Sequence, residues 1–503
     1  MSKDIILENG TIAQIADYKE QFIEEFTDNP FIEALPNLIS KEEIVKQLAF
    51  KANIKKQEVD LPNELKVTLL SRIYKIFQPL PIHLEVWNII HSLIRQGYIQ
   101  RNPFNPAYKK YINSIGKNIV NKKYDLVVNQ NFITTSQCGL IIGVSGMGKS
   151  TSVHRVLESI PQVIVHNEYR GVNFSQIQVP YLKLEAPANS SIKALTLQFF
   201  HKLDQLLGTN NVDRYVSKNL STDALLPMMG QTASSIGLGL LIIDEIQHLD
   251  KNFKQIMNYF VTLMNSFGVP LLLIGTPSAY DMFQQELRIA RRVSGSGAIL
   301  FNRMKNDKEF EIFIKAIWKY QWMSNKTKLN KEIIDIFYEK TQGISDLIVK
   351  LFVNTQKRAI NKNIAQITPE LIEKVWNDEF IMVQPMLDAI KSNNKAKQII
   401  YEDIKEISIE NKNVQNYEHK LVNSKSIYNK SNSKSIYNKS NSNLYNNINE
   451  ATKHIKINID MLDKNDVRRI VFKGKKEGLS AYESLNNTDM IVDIDYILGE
   501  YYV

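Results

Sequence analysis

Residues 143–150 read Gly-Val-Ser-Gly-Met-Gly-Lys-Ser and follow directly on the apolar run Leu140 to Ile142. An apolar run, a glycine-rich turn and a segment without helix breakers predict, in that order, a strand that passes through a tight loop into a helix. Glycine is needed in such a loop because the backbone must come close enough to phosphate oxygens for its N–H groups to donate to them. The octapeptide therefore predicts a phosphate-binding loop, with a plain glycine turn as the alternative.

The residues expected to bind ATP lie mostly in this loop and at the start of the helix that follows it. Lys149 is expected to reach the β and γ phosphates, and the Ser150 hydroxyl is expected to bind Mg²⁺. The full set predicted to bind the nucleotide is Gly143, Val144, Ser145, Gly146, Met147, Gly148, Lys149, Ser150, Thr151 and, from a second motif, Asp244.

That second motif is a pair of acids, Asp244 and Glu245, directly after the apolar run Leu240 to Ile243. The run predicts a buried strand, and the carboxyl ends of parallel strands form the edge at which open α/β sheets bind ligands. Asp244 is expected to hold Mg²⁺ through a water molecule, and Glu245 to polarise the attacking water as general base. Two solvated acids at a strand end are the alternative, but the phosphate loop earlier in the chain favours the catalytic interpretation.

Four further residues are candidates for catalysis. Thr276 follows the apolar run that ends at Gly275, where it can position water or sense the γ phosphate; a turn-forming threonine is the alternative. Arg288, Arg291 and Arg292 form a cluster that can extend into a neighbouring subunit and neutralise transition-state charge. Arginines on a solvated helix face explain the same cluster without any function.

Short apolar segments alternate with helical periodicity between about residues 130 and 300. They are too uniformly apolar for a sheet with one wet face, so we expect a parallel sheet covered by helices on both sides. The predicted strands are Leu140 to Val144, Val163 to His166, Tyr181 to Leu184, Leu240 to Ile243 and Leu271 to Ile274.

Two later segments predict helices packed against a core. One apolar stripe at helical spacing runs from Phe253 to Met264, and a second runs from Ile344 to Phe352. Thr368 followed by Pro369 predicts the N-cap and first residue of another helix.

Changes in composition along the chain predict five regions. A nonapeptide, Ser424 to Asn432, recurs at once as Ser433 to Asn441, and such an Asn-, Lys- and Ser-rich repeat is typical of a disordered linker. The predicted regions are 1–125, a mostly helical N-terminal domain; 126–304, an α/β nucleotide-binding domain; 305–390, a helical lid domain; 391–455, the low-complexity linker; and 456–503, a C-terminal docking segment.

Composition limits the remaining possibilities. The net charge of +9 over 503 residues suits a polyanionic partner, although drift in base composition explains it equally well. Cys138 is the only cysteine, so no disulfide can form within the chain, and we expect its side chain to be buried. The chain offers neither 18 uninterrupted apolar residues nor the apolar core of a signal peptide. We therefore expect a cytoplasmic protein without a membrane partner.

A strand, a phosphate loop, an acid pair, a threonine and downstream arginines, followed by a helical region, are the ordered parts of an AAA+ ATPase. Within that class the chain resembles the TnsC family, the AAA+ regulators of bacterial transposons that use a separate target selector. The segments that carry the resemblance are Asp28 to Pro36, Phe77 to Leu80, Gly97 to Tyr98, Arg101 to Pro103, Asp244 to Leu249, Leu273 to Pro277, Ala290 to Arg292, Val349 to Val353 and Ile491 to Asp493.

The resemblance implies an α/β fold, an AAA+ P-loop NTPase with a parallel sheet and a helical lid. It also implies subunits that bind ATP and magnesium, assemble on double-stranded DNA as a ring or helical filament, and link a target-selector protein to transposase subunits. Hydrolysis would reset the assembly. We expect the N-terminal domain to face the selector and the C-terminal segment to face the transposase.

Two other functions fit the same motifs. One is a replication initiator or helicase loader, and the other is a scaffold that binds ATP without hydrolysing it. One residue departs from the pattern of related lids, which often carry an arginine three residues after the glycine of Gly343-Ile-Ser-Asp346. That position holds Asp346 here, so no lid arginine is assigned.

Overall fold

The computed structural model describes residues 4–121, 137–216, 222–284, 297–392 and 467–477. The chain divides into two compact units, Met1–Ser408 and Ile409–Val503. The strands are β1 Asp4–Ile6, β2 Ile12–Ile15, β3 Cys138–Gly143, β4 Ile164–Tyr169, β5 Val172–Gln178, β6 Tyr181–Glu185, β7 Leu240–Asp244, β8 Leu271–Gly275 and β9 Ala298–Phe301. The helices are α1 Pro30–Glu33, α2 Lys41–Leu48, α3 Asn63–Leu69, α4 Pro81–Ile99, α5 Pro106–Val120, α6 Lys149–Leu157, α7 Ile192–Leu207, α8 Thr222–Ser235, α9 Phe253–Phe267, α10 Pro277–Gln284, α11 Lys308–Trp318, α12 Lys331–Thr341, α13 Ser345–Asn361, α14 Pro369–Glu379, α15 Gln384–Lys391 and α16 Val467–Lys476.

A five-stranded parallel sheet forms the centre of the first unit, in the order β6-β7-β8-β3-β9. Every residue of β3, β7 and β8 is buried, as expected for strands covered by helices on both faces. The predicted α/β fold class is therefore confirmed. β9, a short edge strand beside β3, was not among the predicted strands.

One predicted strand belongs to a different sheet. Val163 to His166 was expected in the parallel sheet, but β4 lies in a four-stranded mixed sheet of order β1-β2-β4-β5. The expectation was wrong because β4 turns directly into an antiparallel partner. Arg170 and Gly171, which separate β4 from β5, both have positive φ, the geometry of a two-residue hairpin turn.

Side chains alternate along the central strands between two hydrophobic cores. Ile141 and Leu272 face a core that also contains buried residues of α4, α6 and the helices after residue 305. Leu140 and Leu273 face the opposite core, which is formed with α5, α7, α8 and α9. Because the first core runs from Phe31 to Ile390, the N-terminal helices and the lid helices pack into one continuous interior. The five predicted region boundaries themselves stay predictions.

Residues at and just after the carboxyl end of α4 contact the loop that leads into β7. Tyr98 Oη donates to the Gly237 carbonyl and Arg101 Nη1 to the Leu238 carbonyl, both at 2.6 Å. A Cβ at Gly97 would lie 2.4 Å from Pro270 Cγ, so only glycine permits this approach. Packing and hydrogen bonding thus account for Gly97, Tyr98 and Arg101 at these positions.

The predicted helix signals are confirmed. The Phe253 to Met264 stripe is the buried face of α9, and the second stripe packs from α13 into the first core. Thr368 caps α14 by accepting from the Leu371 N–H. Cys138 is buried, as expected.

In the second unit, only residues 467–477 are described, and α16 is a short basic helix with Lys473, Lys475 and Lys476 in its last turn. The predicted linker and most of the predicted C-terminal segment lie outside the described residues. Within the described part of the chain, no helix is both long and apolar enough to cross a membrane.

Candidate nucleotide-binding site

The phosphate loop connects the carboxyl end of β3 to the first turn of α6. Gly146 and Gly148 have φ of 78° and 82°, a left-handed conformation that favours glycine. No side chain caps the first turn of α6 at Gly148, and an uncapped helix start presents N–H groups to an anion. The Lys149 ammonium donates to the Gly143 and Val144 carbonyls at 2.7 and 3.1 Å. The loop is therefore shaped for phosphate, with its lysine folded back onto it.

The start of the loop is held by the edge strand β9. A Cβ at Gly143 would lie 2.2 Å from the Phe301 carbonyl oxygen, and the Val144 N–H donates to the same oxygen at 3.0 Å. Because the clash would involve backbone, a side chain at Gly143 would require β9 to move.

The acid pair ends β7, two strands away from β3 with β8 between them. Asp244 is buried, and its Oδ2 lies 2.6 Å from Lys183 Nζ of β6. Its Oδ1 accepts from the Glu245 N–H at 2.9 Å. Glu245 is exposed and has a left-handed backbone, with φ 57°. The buried acid is thus fixed, whereas the second acid points to the surface.

Gln247 connects the acid pair to the next strand. Its Nε2 donates to Glu245 Oε2, and its Oε1 accepts from the Thr276 N–H at 3.2 Å. The Thr276 hydroxyl lies 2.8 Å from the Ser278 hydroxyl. A Cβ at Gly275 would lie 2.6 Å from Ile246 Cγ1, so glycine at the end of β8 gives this segment room. The polar groups at the ends of β7 and β8 therefore form one network.

A cavity of about 540 Å³ opens beside the phosphate loop, within the range of small-molecule sites. Residues from four parts of the first unit surround it. They are Gly146, Met147, Gly148, Thr151 and Ser152 of the loop and α6; Ile73, Tyr74, Ile76, Phe77, Gln78, Leu80, Ile82 and His83 of the N-terminal region; Leu300 to Asp307, Asn306 excepted, with Glu309 and Phe313; and Ser345, Asp346 and Val349 of the lid.

His83 is a lining residue that the sequence did not mark as functional. Its Nδ1 accepts from the Leu80 N–H at 2.8 Å, and its ring lies against Phe77. Burial lowers the pKa of His83 to about 4, so the imidazole is neutral near pH 7. In the sequence it lies just after Phe77 to Leu80, a segment that carries the family resemblance but by itself indicates no ligand.

Residues 133–283 match the family described as AAA domain. The chain has the AAA+ P-loop fold. The match begins ahead of the phosphate loop and ends within α10, so it leaves out both the N-terminal region and the lid.

Several solved structures are similar to the chain. The Aeropyrum pernix ORC1 protein in complex with DNA has 12% identity and a TM-score of 0.36, over 74% of this chain and 86% of that one. Drosophila ORC bound to DNA has 11% identity and a TM-score of 0.33, over 60% and 70%. The Thermotoga maritima RuvB Holliday junction branch migration motor has 12% identity and a TM-score of 0.28, over 59% and 83%. No curated protein matches the chain.

In this AAA+ fold the lid meets the phosphate loop directly. The Asp346 N–H and the Ser345 hydroxyl both donate to the Gly146 carbonyl, at 3.0 and 2.8 Å. The Asp346 carboxylate pairs with Lys350 at 2.6 Å. A carboxylate therefore lies beside the phosphate loop at Asp346, the position at which no lid arginine was assigned.

The predicted site residues fall into two groups. The structure brings the loop residues, Asp244, Glu245 and Thr276 to the same carboxyl edge of the parallel sheet. The three candidate arginines, Arg288, Arg291 and Arg292, lie outside the described residues.

Two of the predicted residues suit a magnesium ion by their chemistry. Ser150 offers a hydroxyl at the start of α6 and Asp244 a carboxylate at the end of β7, and Mg²⁺ prefers such oxygen ligands, with phosphates and waters completing its shell. Lys183, which pairs with Asp244, was missed because a lysine within a strand carries no motif.

Proposed function

We propose that the chain binds ATP in the cavity beside the phosphate loop, hydrolyses it, and uses this cycle to regulate DNA transposition. The observation that carries the ATPase proposal is the common position of Lys149, Asp244 and Thr276 at one edge of the parallel sheet. A phosphate loop, a buried acid and a polar group at that edge are what phosphoryl transfer to water requires.

Each residue of the site has its own proposed role in ATP binding or hydrolysis. Lys149 leaves the loop carbonyls to contact the β and γ phosphates, and the N–H groups of the loop donate to the same oxygens. Ser150 and Asp244 would hold Mg²⁺, which when bound neutralises charge that develops on the phosphates. Glu245 accepts a proton from the attacking water, and Thr276 positions that water.

Assembly follows from the proposed catalytic arginines. Arg288, Arg291 and Arg292 are proposed to reach from one subunit into the nucleotide site of the next, so the active unit is an oligomer on double-stranded DNA, either a ring or a helical filament. Each site would then be complete only between two subunits.

The role in transposition is supported by the resemblance to the TnsC family. Three of the segments that carry it are in contact: Asn29 Nδ2 donates to the Tyr98 carbonyl, and Asn102 Nδ2 donates to the Asp28 carbonyl. We propose that the assembly joins a target-selector protein to transposase subunits and that hydrolysis resets it.

Electron microscopy of the protein with duplex DNA tests the proposal. We expect Glu245→Gln to bind ATP without turnover and to form stable assemblies on DNA, whereas Lys149→Ala should form none. Normal hydrolysis by Glu245→Gln would refute the assignment of the site, and assemblies that form equally well without nucleotide would refute the proposed switch.

Partner contacts need a separate test. Deletion of 456–503 should abolish capture of the transposase while ATP binding is kept, and undiminished capture would contradict the proposed docking segment. Deletion of 1–125 is unsuitable for testing the selector contact, because α4 contributes Trp87, Ile90 and Leu93 to the core shared with the lid. Single substitutions on the exposed N-terminal surface are the appropriate variants there.

A further inference from the structure

We propose that Lys183 is a positioning residue for the magnesium site: its ammonium pairs with Asp244 Oδ2 and must release that oxygen before Mg²⁺ binds there. Lys183 belongs to none of the motifs that predict the site. The inference rests on the proposed function, because it concerns how the same site is loaded.

The sheet register places Lys183 diagonally across from Asp244, whose direct partner on β6 is Glu185. Lys183 of β6 pairs with Ile242 of β7, and Asp244 lies two residues further along β7. Side chains two residues apart in a strand lie on the same face, so Lys183, Ile242 and Asp244 share one face of the sheet. The Lys183 ammonium reaches along this face to Asp244 Oδ2 at 2.6 Å.

The two oxygens of Asp244 differ in how they are held. Oδ1 accepts from the Glu245 backbone N–H, and this bond fixes the rotation of the carboxylate. Oδ2 is bound to a flexible side chain that can leave. A metal ion that approaches Asp244, directly or through a water molecule, therefore competes with Lys183 for Oδ2.

The burial of Asp244 explains why the Lys183 ammonium lies beside it. The Asp244 side chain is only 6% exposed, and a buried carboxylate without a counter-charge is strongly destabilising. The Lys183 side chain is 30% exposed, so its ammonium can swing into solvent while Asp244 stays in place. Lys183 thus neutralises the acid when the metal is absent, and the metal takes over that role when it binds.

Lys183 and Mg²⁺ should therefore compete for Asp244, and this competition can be measured. Because Mg²⁺ must displace a bound ammonium, Lys183 raises the magnesium concentration that is needed to load the site with nucleotide. A lysine that contacts phosphate would act in the opposite way, since its removal would weaken ATP binding even without metal. A purely structural ion pair would alter stability and leave the magnesium dependence unchanged.

The test is a titration of the full-length chain with a fluorescent, slowly hydrolysed ATP analogue over a series of magnesium concentrations and in EDTA. In Lys183→Met we expect the half-saturating magnesium concentration to fall by about three- to tenfold, with analogue affinity in EDTA unchanged. Melting temperatures provide a second readout: the variant should melt lower than the native chain in EDTA and recover with Mg²⁺ and analogue.

Two further substitutions guard against trivial explanations. Lys183→Arg keeps the charge and should retain the native magnesium dependence. Lys183→Gln keeps a hydrogen-bond donor without the charge, so its magnesium dependence should match the one expected for Lys183→Met. It serves as the second uncharged variant if Lys183→Met folds poorly. Lys315→Met, which breaks the exposed Lys315–Glu311 pair on α11, is the matched control and should change nothing.

Each outcome is decisive. A magnesium curve that Lys183→Met and Lys183→Gln leave unchanged, or a loss of analogue affinity in EDTA, would overturn the inference while the proposed ATP site stands. A native chain that binds no analogue at any magnesium concentration would instead defeat the proposed function itself.

Discussion

The cavity has two walls of different origin. The loop wall comes from one continuous stretch, Gly146 to Ser152, whereas the opposite wall combines N-terminal residues such as His83, the segment after β9 and lid residues such as Asp346. The loop wall is contiguous because it must present consecutive N–H groups to phosphate. The opposite wall only has to enclose the ligand, and segments far apart in the chain can do that once the core has formed.

The opposite wall is held together by contacts between the N-terminal region and the lid. Asn63 Nδ2 donates to the Ile360 carbonyl at 2.9 Å, and Trp322 Nε1 donates to Glu58 Oε2 at 3.1 Å. These bonds join α3 and its neighbours to the lid helices. A movement of the lid must therefore move this part of the N-terminal region or break these bonds.

The comparison is tested most strongly by Lys149, which lies within the loop stretch, and Lys305, which lines the opposite wall. We expect Lys149→Ala to lower ATP turnover by about a thousandfold, because the ammonium neutralises charge in the transition state. Lys305→Ala, on the opposite wall, should lower it by less than about threefold, since an exposed lysine there only lines the cavity. Steady-state kinetics on both variants decides, and losses of similar size would contradict the division between the walls.

A glycine that contacts the opposite wall should be sensitive to backbone change. Gly343, just before α13, has φ 75°, and a Cβ there would lie 2.0 Å from the Met304 carbonyl oxygen. We expect Gly343→Ala to destabilise the first unit by about 3 kcal/mol and to lower its melting temperature. Gly10 has φ 85° with open space around it, so Gly10→Ala is the matched control, with a cost of about 1 kcal/mol from strain alone. Equal shifts in the two variants would show that the contact with Met304 adds nothing.

The same division explains what the sequence could predict. β3, the loop and β7 were found because each depends on neighbouring residues: an apolar run, then glycines or acids. The N-cap at Thr368 was found for the same reason.

Residues that act through distant contacts were not predictable in this way. His83 and Lys183 reach the site through helix packing and strand register, and neither relation has a local signature. β4 was placed in the wrong sheet because its apolar start suggested a central strand, while its pairing is set by the turn at Arg170 and Gly171.

Low pH should destabilise the first unit through His83, a residue of the opposite wall. Burial lowers its pKa from 6.5 to about 4, so between those values the unfolded chain binds a proton that the folded chain does not. Stability from this group is therefore present above pH 6.5 and is lost as pH falls toward 4, by about 2 kcal/mol between pH 6.5 and 4.5.

His83→Asn keeps an acceptor for the Leu80 N–H and should show a shallower loss in unfolding free energy measured across this range. His166 and His91, whose pKa values burial also lowers, remain in both proteins and give the common background. Parallel curves for the two proteins would exclude His83 as a source of the acid sensitivity.

The smallest effect concerns Gln247, which sits at the sheet edge yet belongs to no sequence motif for catalysis. Since its amide joins Glu245 to the Thr276 backbone, Gln247→Leu should leave the general base less well oriented and lower kcat by about fivefold, with KM nearly unchanged. Gln247→Glu keeps an acceptor for the Thr276 N–H but places a like charge beside Glu245, which should move the acidic limb of the pH–rate profile to higher pH. An unchanged kcat in the first variant together with an unshifted profile in the second would mean that Gln247 serves packing alone. A shifted profile would instead show that Gln247, which lies between the adjacent ends of β7 and β8, influences the general base.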